Sequence, residues 1–288
     1  MDSSEAPAQN MKPLVIATVF APSPLNAEWY ALQKKFIAAC TEVAFDYWVV
    51  LNGIAPDGFD PSDIALVNEE NLGHGEALMQ LVELFRQRRN YENYLILDSD
   101  AFPVKPGWYG ILGEQMRRLG KQVAAPVRAE NLDVFPHPCA FFLQDRIVDD
   151  PRLEFRKIGA LRNLLGMNVN DVGCMTASMS DVLFPLMRSN VVNVHPVAAA
   201  VYHHLFYHHG CGSRDFHFRV TKRFPYCEHW YDVSRQPAHG RRLNRAIMRN
   251  PERFIARLMG LQEPLMQPFL KDPVEFDAAG PSATGAGV

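Results

Sequence analysis

Apolar and polar positions along the first hundred residues follow two alternating rhythms. Short, nearly unbroken apolar runs cover residues 14–20, 46–51, 64–68 and 94–97, the last ending at Asp98. Residues 28–40 and 76–88 instead space their apolar side chains as an amphipathic helix does. Strands that alternate with helices predict a mainly parallel sheet covered on both faces, because parallel neighbours need a crossover and the crossover helix buries a sheet face. In such sheets ligands bind beyond the carboxyl ends of the strands. The positions to inspect are therefore 18–21, Asn52, 68–75 and 98–100.

The second half is less regular. A helix is predicted over 108–119, a strand over 123–125, an apolar run over 139–143, a helix after Asp171 and a short strand over 191–194. Residues 241–261 read as helical, interrupted at Pro251, which starts a second helix with Asn250 as its cap. Residues 1–12 and 272–288 are rich in proline and small residues and are expected outside the core. The expected organisation is a tail (1–12), one α/β body (13–240), a basic helical region (241–271) and a second tail (272–288), without repeats or long linkers.

Composition narrows the function classes. A formal charge of −3 over 288 residues argues against a nucleic-acid binder that relies on bulk charge. With 48% apolar and 21% charged residues the chain buries a sizeable core and is not a disordered one. No stretch reaches the roughly 18 uninterrupted apolar residues of a membrane span, and residues 1–12 lack the apolar core of a secretion signal, so a cytoplasmic protein is expected. Cys40, Cys139, Cys174, Cys211 and Cys227 form no C-x-x-C pair, which suits reduced thiols.

Two segments carry candidate chemistry. In YLILDSDAFPV a strand delivers Asp98 and Asp100, and on an extended chain positions i and i+2 point the same way. Two converging carboxylates make a hard oxygen site suited to Mg²⁺ or Mn²⁺; a polar turn after a strand is the plainer alternative. In VYHHLFYHHGCGSR four of the ten histidines gather. If that segment is extended, His204 and His208 share one face and His203 and His209 the other, so the adjacent His208 and His209 do not both ligate one ion. The chain has no H-E-x-x-H, G-x-S-x-G or P-loop motif, and no G-x-G-x-x-G after its first strand.

The segment LILDSDAFPVKPGW resembles the D-x-D segment of nucleotide-sugar glycosyltransferases of the type A fold (GT-A), particularly the inverting family 2. Further segments match in order. NEENLGHGEALM is similar to the stretch that meets the nucleotide, with Asn71, Gly73 and His74 in a turn and Gly75 leading into a helix. HPCAFFL (137–143) resembles the acceptor-side strand, NDVGC (170–174) the acidic motif, and YHHGCGSR the H-x-G segment near the end of the catalytic domain.

The resemblance implies a single Rossmann-like GT-A domain with a mixed, mainly parallel central sheet flanked by helices. It implies metal-dependent inverting transfer from a nucleotide diphosphate sugar to a hydroxyl of a carbohydrate or lipid-linked glycan. Asp171 would be the general base. Mn²⁺ or Mg²⁺ would be held by Asp100, Asp98 and His208, with His209 in reserve and Asp98 alternatively on the ribose. Thr18, Asn52, Asn71, Gly73 and His74 would line the nucleoside side, and Arg214 would reach the diphosphate.

Departures from the pattern matter. Asn170 stands where the family usually has a second acid, and Asp171 also suits a plain helix cap. Without a Q-x-x-R-W segment or membrane spans, a single transfer is favoured over polymerisation. The alternatives are a non-catalytic nucleotide-sugar or carbohydrate-binding relative and a nucleotidyltransferase, which would normally carry a Gly-rich basic loop after its first strand. For the basic C-terminal region, packing through Leu243, Ile247, Phe254 and Leu258 is favoured over peripheral docking on an anionic membrane. Acceptor selection is expected from 127–137 and 146–170.

Overall fold

The computed structural model describes residues 11–127, 136–156, 179–194, 197–210 and 236–260. Its first part is β1 (Lys12–Phe20), α1 (Asn26–Cys40), β2 (Phe45–Asn52), β3 (Ile64–Asn68), α2 (His74–Gln87) and β4 (Tyr91–Asp98). β1 pairs in parallel with both β2 and β4, and β2 in parallel with β3, as the alternating pattern requires. The period-2 geometry of a strand is visible in β1. Leu14, Ile16 and Phe20 bury on one face with Trp29, Phe36 and Ile37 of α1, while Val15, Ala17 and Val19 bury on the other with Leu78, Leu81 and Phe85 of α2. Both faces of this sheet are therefore core.

After β4 come β5 (Ala101–Pro103), α3 (Trp108–Arg118), β6 (Val123–Pro126), β7 (Ala140–Gln144) and a 3-10 turn at Asp145–Ile147. Then follow β8 (Leu183–Leu186), β9 (Arg188–Val194), β10 (Val197–Tyr202) and β11 (Phe206–His209). The central sheet has the order β3-β2-β1-β4-β7-β6-β8. β7 runs antiparallel between β4 and β6, and β8 is parallel to β6, so the sheet is mixed and mainly parallel as expected. A second sheet, in the order β5-β11-β10-β9 and antiparallel throughout, was not legible in the apolar pattern.

The hairpin joining β10 to β11 corrects the reading of the histidine segment as continuously extended. His203 and His204 both have positive φ (53° and 56°), the signature of a tight turn that matches strand twist, and Leu205 N–H donates to the Tyr202 carbonyl at 2.9 Å. The two rings do structural work there. His203 Nε2 lies 2.8 Å from Gln115 Oε1, and His204 Nδ1 lies 3.1 Å from Asn190 Oδ1.

At the C-terminal end, α4 (Gln236–Arg249) and α5 (Pro251–Met259) break where proline predicts, and Asn250 Oδ1 accepts the Arg253 N–H at 3.1 Å as the N-cap. Leu243, Ile247, Phe254 and Leu258 are buried in the same cluster as Trp29 and Tyr207. The helices thus turn their apolar stripe onto the body of the protein. Among the described residues, no helix is long and apolar enough to cross a membrane. The helix expected after Asp171 lies outside the described residues.

Candidate functional site

β4 hands the chain from one sheet to the other. It ends at Asp98, residues 99 and 100 form a turn, and β5 begins at Ala101 in the second sheet. The expected convergence of two carboxylates on an extended chain is thus replaced by a turn, and the partner strand supplies the third group. β11 pairs with β5 so that His208 stands opposite Ala101, and the His209 N–H donates to the Asp100 carbonyl at 3.0 Å. Donor atoms of Asp98, Asp100 and His208 all lie within 4.8 Å of one another. His208 Nε2 is 3.4 Å from Asp98 Oδ2 and 3.5 Å from Asp100 Oδ1.

Strand alternation separates the two adjacent histidines. His208 faces the carboxylates, whereas His209 turns to Trp29, with ring centroids 5.1 Å apart, and its Nδ1 lies 2.6 Å from the Tyr207 hydroxyl. Two more imidazoles approach Asp98. His74 Nε2 is 3.4 Å from Oδ1, and His137 Nδ1, which accepts the Cys139 N–H at 3.1 Å, is 3.9 Å from Oδ2. The sequence places His137 and Cys139 in the expected acceptor-side strand, with Cys139 also among the reduced thiols. They reach the metal-side carboxylates because β7 runs antiparallel to β4, which brings its start beside the end of β4.

Electrostatics follows from this crowding. Burial opposes charge on Asp98, yet the hydrogen bond from His208 and the charges of His74, His137 and His208 hold its pKa well below the usual carboxylate range. Burial also opposes charge on His208, but Cys139, Asp98 and Asp100 outweigh it and hold that ring well above the ordinary histidine value. For His209 burial dominates, followed by the charge of His208, and its pKa is pushed down to about 3.

The donor set fits a divalent cation. Two carboxylates are hard oxygen ligands of the kind Mn²⁺ and Mg²⁺ accept, and the borderline imidazole beside them suits Mn²⁺ better than Mg²⁺. Among the described residues the buried Asp98 Oδ1 atom makes no hydrogen bond beyond its 3.4 Å ion-pair contact with His74 Nε2, and a bound cation would satisfy it further.

The other expected site residues lie at the same end of the sheet, because β1 and β2 run parallel to β4. Thr18 is fully buried opposite Leu97, and among the described residues its hydroxyl has no hydrogen-bond partner. Asn52 fastens the following loop: Nδ2 donates to Asn71 Oδ1 (2.9 Å) and the Gly73 carbonyl (3.4 Å), and Oδ1 accepts from Asn68 Nδ2 (3.2 Å) and Leu72 N–H (3.1 Å). Asn71 Oδ1 also takes the Gly73 N–H at 2.9 Å. The amide groups of Asn52 and Asn71 are thereby engaged in shaping the turn that precedes α2. His74 opens that helix. Asp171 and Arg214 lie outside the described residues.

Gly53 shows how closely this loop is packed. It has φ +76°, and a Cβ there would stand 2.5 Å from the Asn71 backbone nitrogen. Gly53→Ala is expected to cost about 1–3 kcal/mol from the backbone conformation alone, before the clash is added. Urea unfolding reads that cost as a lowered midpoint at unchanged slope. An unchanged midpoint would show that the loop yields without penalty.

No protein-family model and no curated protein matches the chain. Among solved structures it is similar to the mannosyltransferase PcManGT from Pyrobaculum calidifontis, determined with GDP-Man and Mn²⁺, at 14% identity and a TM-score of 0.38 over 53% of this chain and 50% of that one. It therefore spans half the length of that transferase. Further similarities are to A197 from STIV (9% identity, TM-score 0.37, 66% of this chain and 90% of that one) and to an active-site mutant of LgtC (8%, 0.39, 60% and 72%). LgtC is a galactosyltransferase that has also been solved with donor and acceptor sugar analogues. At these TM-scores the overlaps are partial, and the chemistry is read from the site itself.

Proposed function

We propose that the protein is a metal-dependent inverting glycosyltransferase that moves a sugar from a nucleotide diphosphate donor to a hydroxyl of a carbohydrate or lipid-linked glycan, working in the cytoplasm. The observation that carries this reading is the convergence of half-buried Asp98 with buried Asp100 and His208 at the carboxyl end of parallel strands. Asp100, Asp98 and His208 would hold Mn²⁺ or Mg²⁺, which when bound supplies positive charge against the negative charge gathering on the departing diphosphate.

The chain's own groups divide the remaining tasks. The turn from Asn71 to Gly73, fixed by Asn52, aims the first N–H groups of α2 at phosphate oxygens, and Arg214 adds a bidentate contact. Asp171 takes the acceptor proton as that oxygen bonds to the anomeric carbon and the carbon–diphosphate bond breaks on the opposite face. The proton ends on the carboxyl group.

The test is a screen of UDP-, GDP- and dTDP-sugars with and without Mn²⁺, on the parent and on Asp98→Ala/Asp100→Ala. Metal-dependent turnover of one donor, lost in a variant with parent-like circular dichroism, is expected. Tight donor binding without product would instead identify a non-catalytic binding relative, and conversion of a donor plus added pyrophosphate to nucleoside triphosphate and sugar 1-phosphate a nucleotidyltransferase.

A further inference from the structure

Gln33 sits in the buried stripe of α1, fully inaccessible among apolar neighbours. Its Nε2 donates to two backbone carbonyls, Asp98 at 2.9 Å and Ala101 at 2.6 Å. Its Oε1 accepts the hydroxyl of buried Tyr47 from β2. The two carbonyls settle the amide's orientation, because each can only accept and so must face the end with two hydrogens, which leaves Oε1 for the Tyr47 hydroxyl. Both hydrogens are therefore spent on the two residues that bracket Ser99 and Asp100. One side chain clasps the ends of the turn that carries the carboxylate pair.

That turn is where control of spacing matters. Asp98 ends a strand of the central sheet and Ala101 begins one of the second sheet, so no ladder runs across the junction. The remaining described backbone ties act on one side each: Asp98 N–H to the Cys139 carbonyl (3.4 Å) and His209 N–H to the Asp100 carbonyl (3.0 Å). Gln33 alone among these bridges the two sides. An apolar side chain of similar size would fill the core without the cost of burying an amide.

We infer that Gln33 is a positioning residue, which sets the separation of Asp98 and Asp100 for the cation these carboxylates and His208 hold, without touching that cation itself. The inference rests on the proposed metal-binding reading of the triad. Because geometry at the ligands controls affinity, groups one step behind them typically alter metal binding about 10–100-fold. Gln33→Met keeps length and removes both donors. Tyr47→Phe keeps Gln33 and its two carbonyl bonds but removes the hydroxyl that braces the amide from β2.

The experiment titrates Mn²⁺ into the full chain by calorimetry and follows thermal unfolding in EDTA. The controls are the parent and Phe36→Leu, a core truncation on the same helix whose ring stacks on Phe102 of β5, with centroids 4.5 Å apart, and which makes no hydrogen bond to the turn. Expected are a 10–100-fold weaker Mn²⁺ affinity for Gln33→Met, a several-fold loss for Tyr47→Phe, and parent-like affinity for Phe36→Leu despite its lowered midpoint. Gln33→Met binding within twofold of the parent overturns the inference, as does a Phe36→Leu that loses affinity in proportion to its stability. Should Gln33→Met fail to fold, the Tyr47→Phe affinity decides alone. A parent that binds no Mn²⁺ removes the metal reading and this inference with it, whereas a binding parent with unaffected variants removes only the role of Gln33.

Discussion

Asp100→Asn is expected to weaken Mn²⁺ binding by about 100-fold or more, beyond the range typical of groups that merely support a ligand. Asparagine preserves shape and one acceptor oxygen but not the charge. The metal-free protein should tolerate it, because Asp98 keeps its pairing with His208 and the approach of His74 and His137. Mn²⁺ at 100 times its Kd stabilises a fold that binds it by about 2.7 kcal/mol. For a domain of this size that is a rise of roughly 5–10 °C in the thermal midpoint. The parent should show that rise and Asp100→Asn should not, while their midpoints in EDTA stay close. An equal rise in both would take Asp100 off the cation.

The parallel half of the fold was legible because its signals are local and periodic. Residues 64–68 form a strand with the predicted bounds, and Pro251 with Asn250 marks a helix start through capping chemistry confined to four residues. Strand direction is not local. Period-2 alternation is the same in parallel and antiparallel neighbours, so nothing in residues 139–143 announced that Leu97 would lie opposite Ala140. The second sheet was missed for the same reason. Its hairpin turns on two histidines instead of the glycine or asparagine that advertises positive φ.

At the site, Asp98, Asp100 and His208 come together by a route other than extended-chain spacing. Asp98 and Asp100 converge through a turn, and His208 joins them because of its register with Ala101, information held by pairing and absent from spacing. Gln33 had a readable signal. It lies three residues after Tyr30 and four before Ile37, both buried on α1, so helical periodicity places an amide on the core face, where it must find partners. His137 gave no comparable sign, since its approach to Asp98 depends on the antiparallel insertion of β7.

The two neighbouring histidines of β11 lead to the second large expected effect, in acid. His209 is fully buried against Trp29, and burial followed by the charge of His208 pushes its pKa down to about 3. In the unfolded chain the same ring takes its proton near pH 6.5. Between those values the unfolded state binds a proton that the folded state refuses. Stability from this residue is therefore complete above about pH 6.5 and is lost as pH falls, by about 1.4 kcal/mol per unit. His208 has the opposite sign: its raised pKa gives stability present at acid pH and lost as pH rises through the folded value. That contribution is common to the parent and to His209→Gln, which keeps a hydrogen-bonding group for the Tyr207 hydroxyl but does not titrate. The difference in unfolding free energy between the two proteins should then shift by roughly 2–3 kcal/mol in favour of the variant from pH 6.5 to 4.5. Urea unfolding in EDTA at pH 6.5, 5.5 and 4.5 measures it. Parallel stability profiles would mean that the His209 ring accepts its proton inside the fold, and that the core between α1 and β11 opens to water at acid pH.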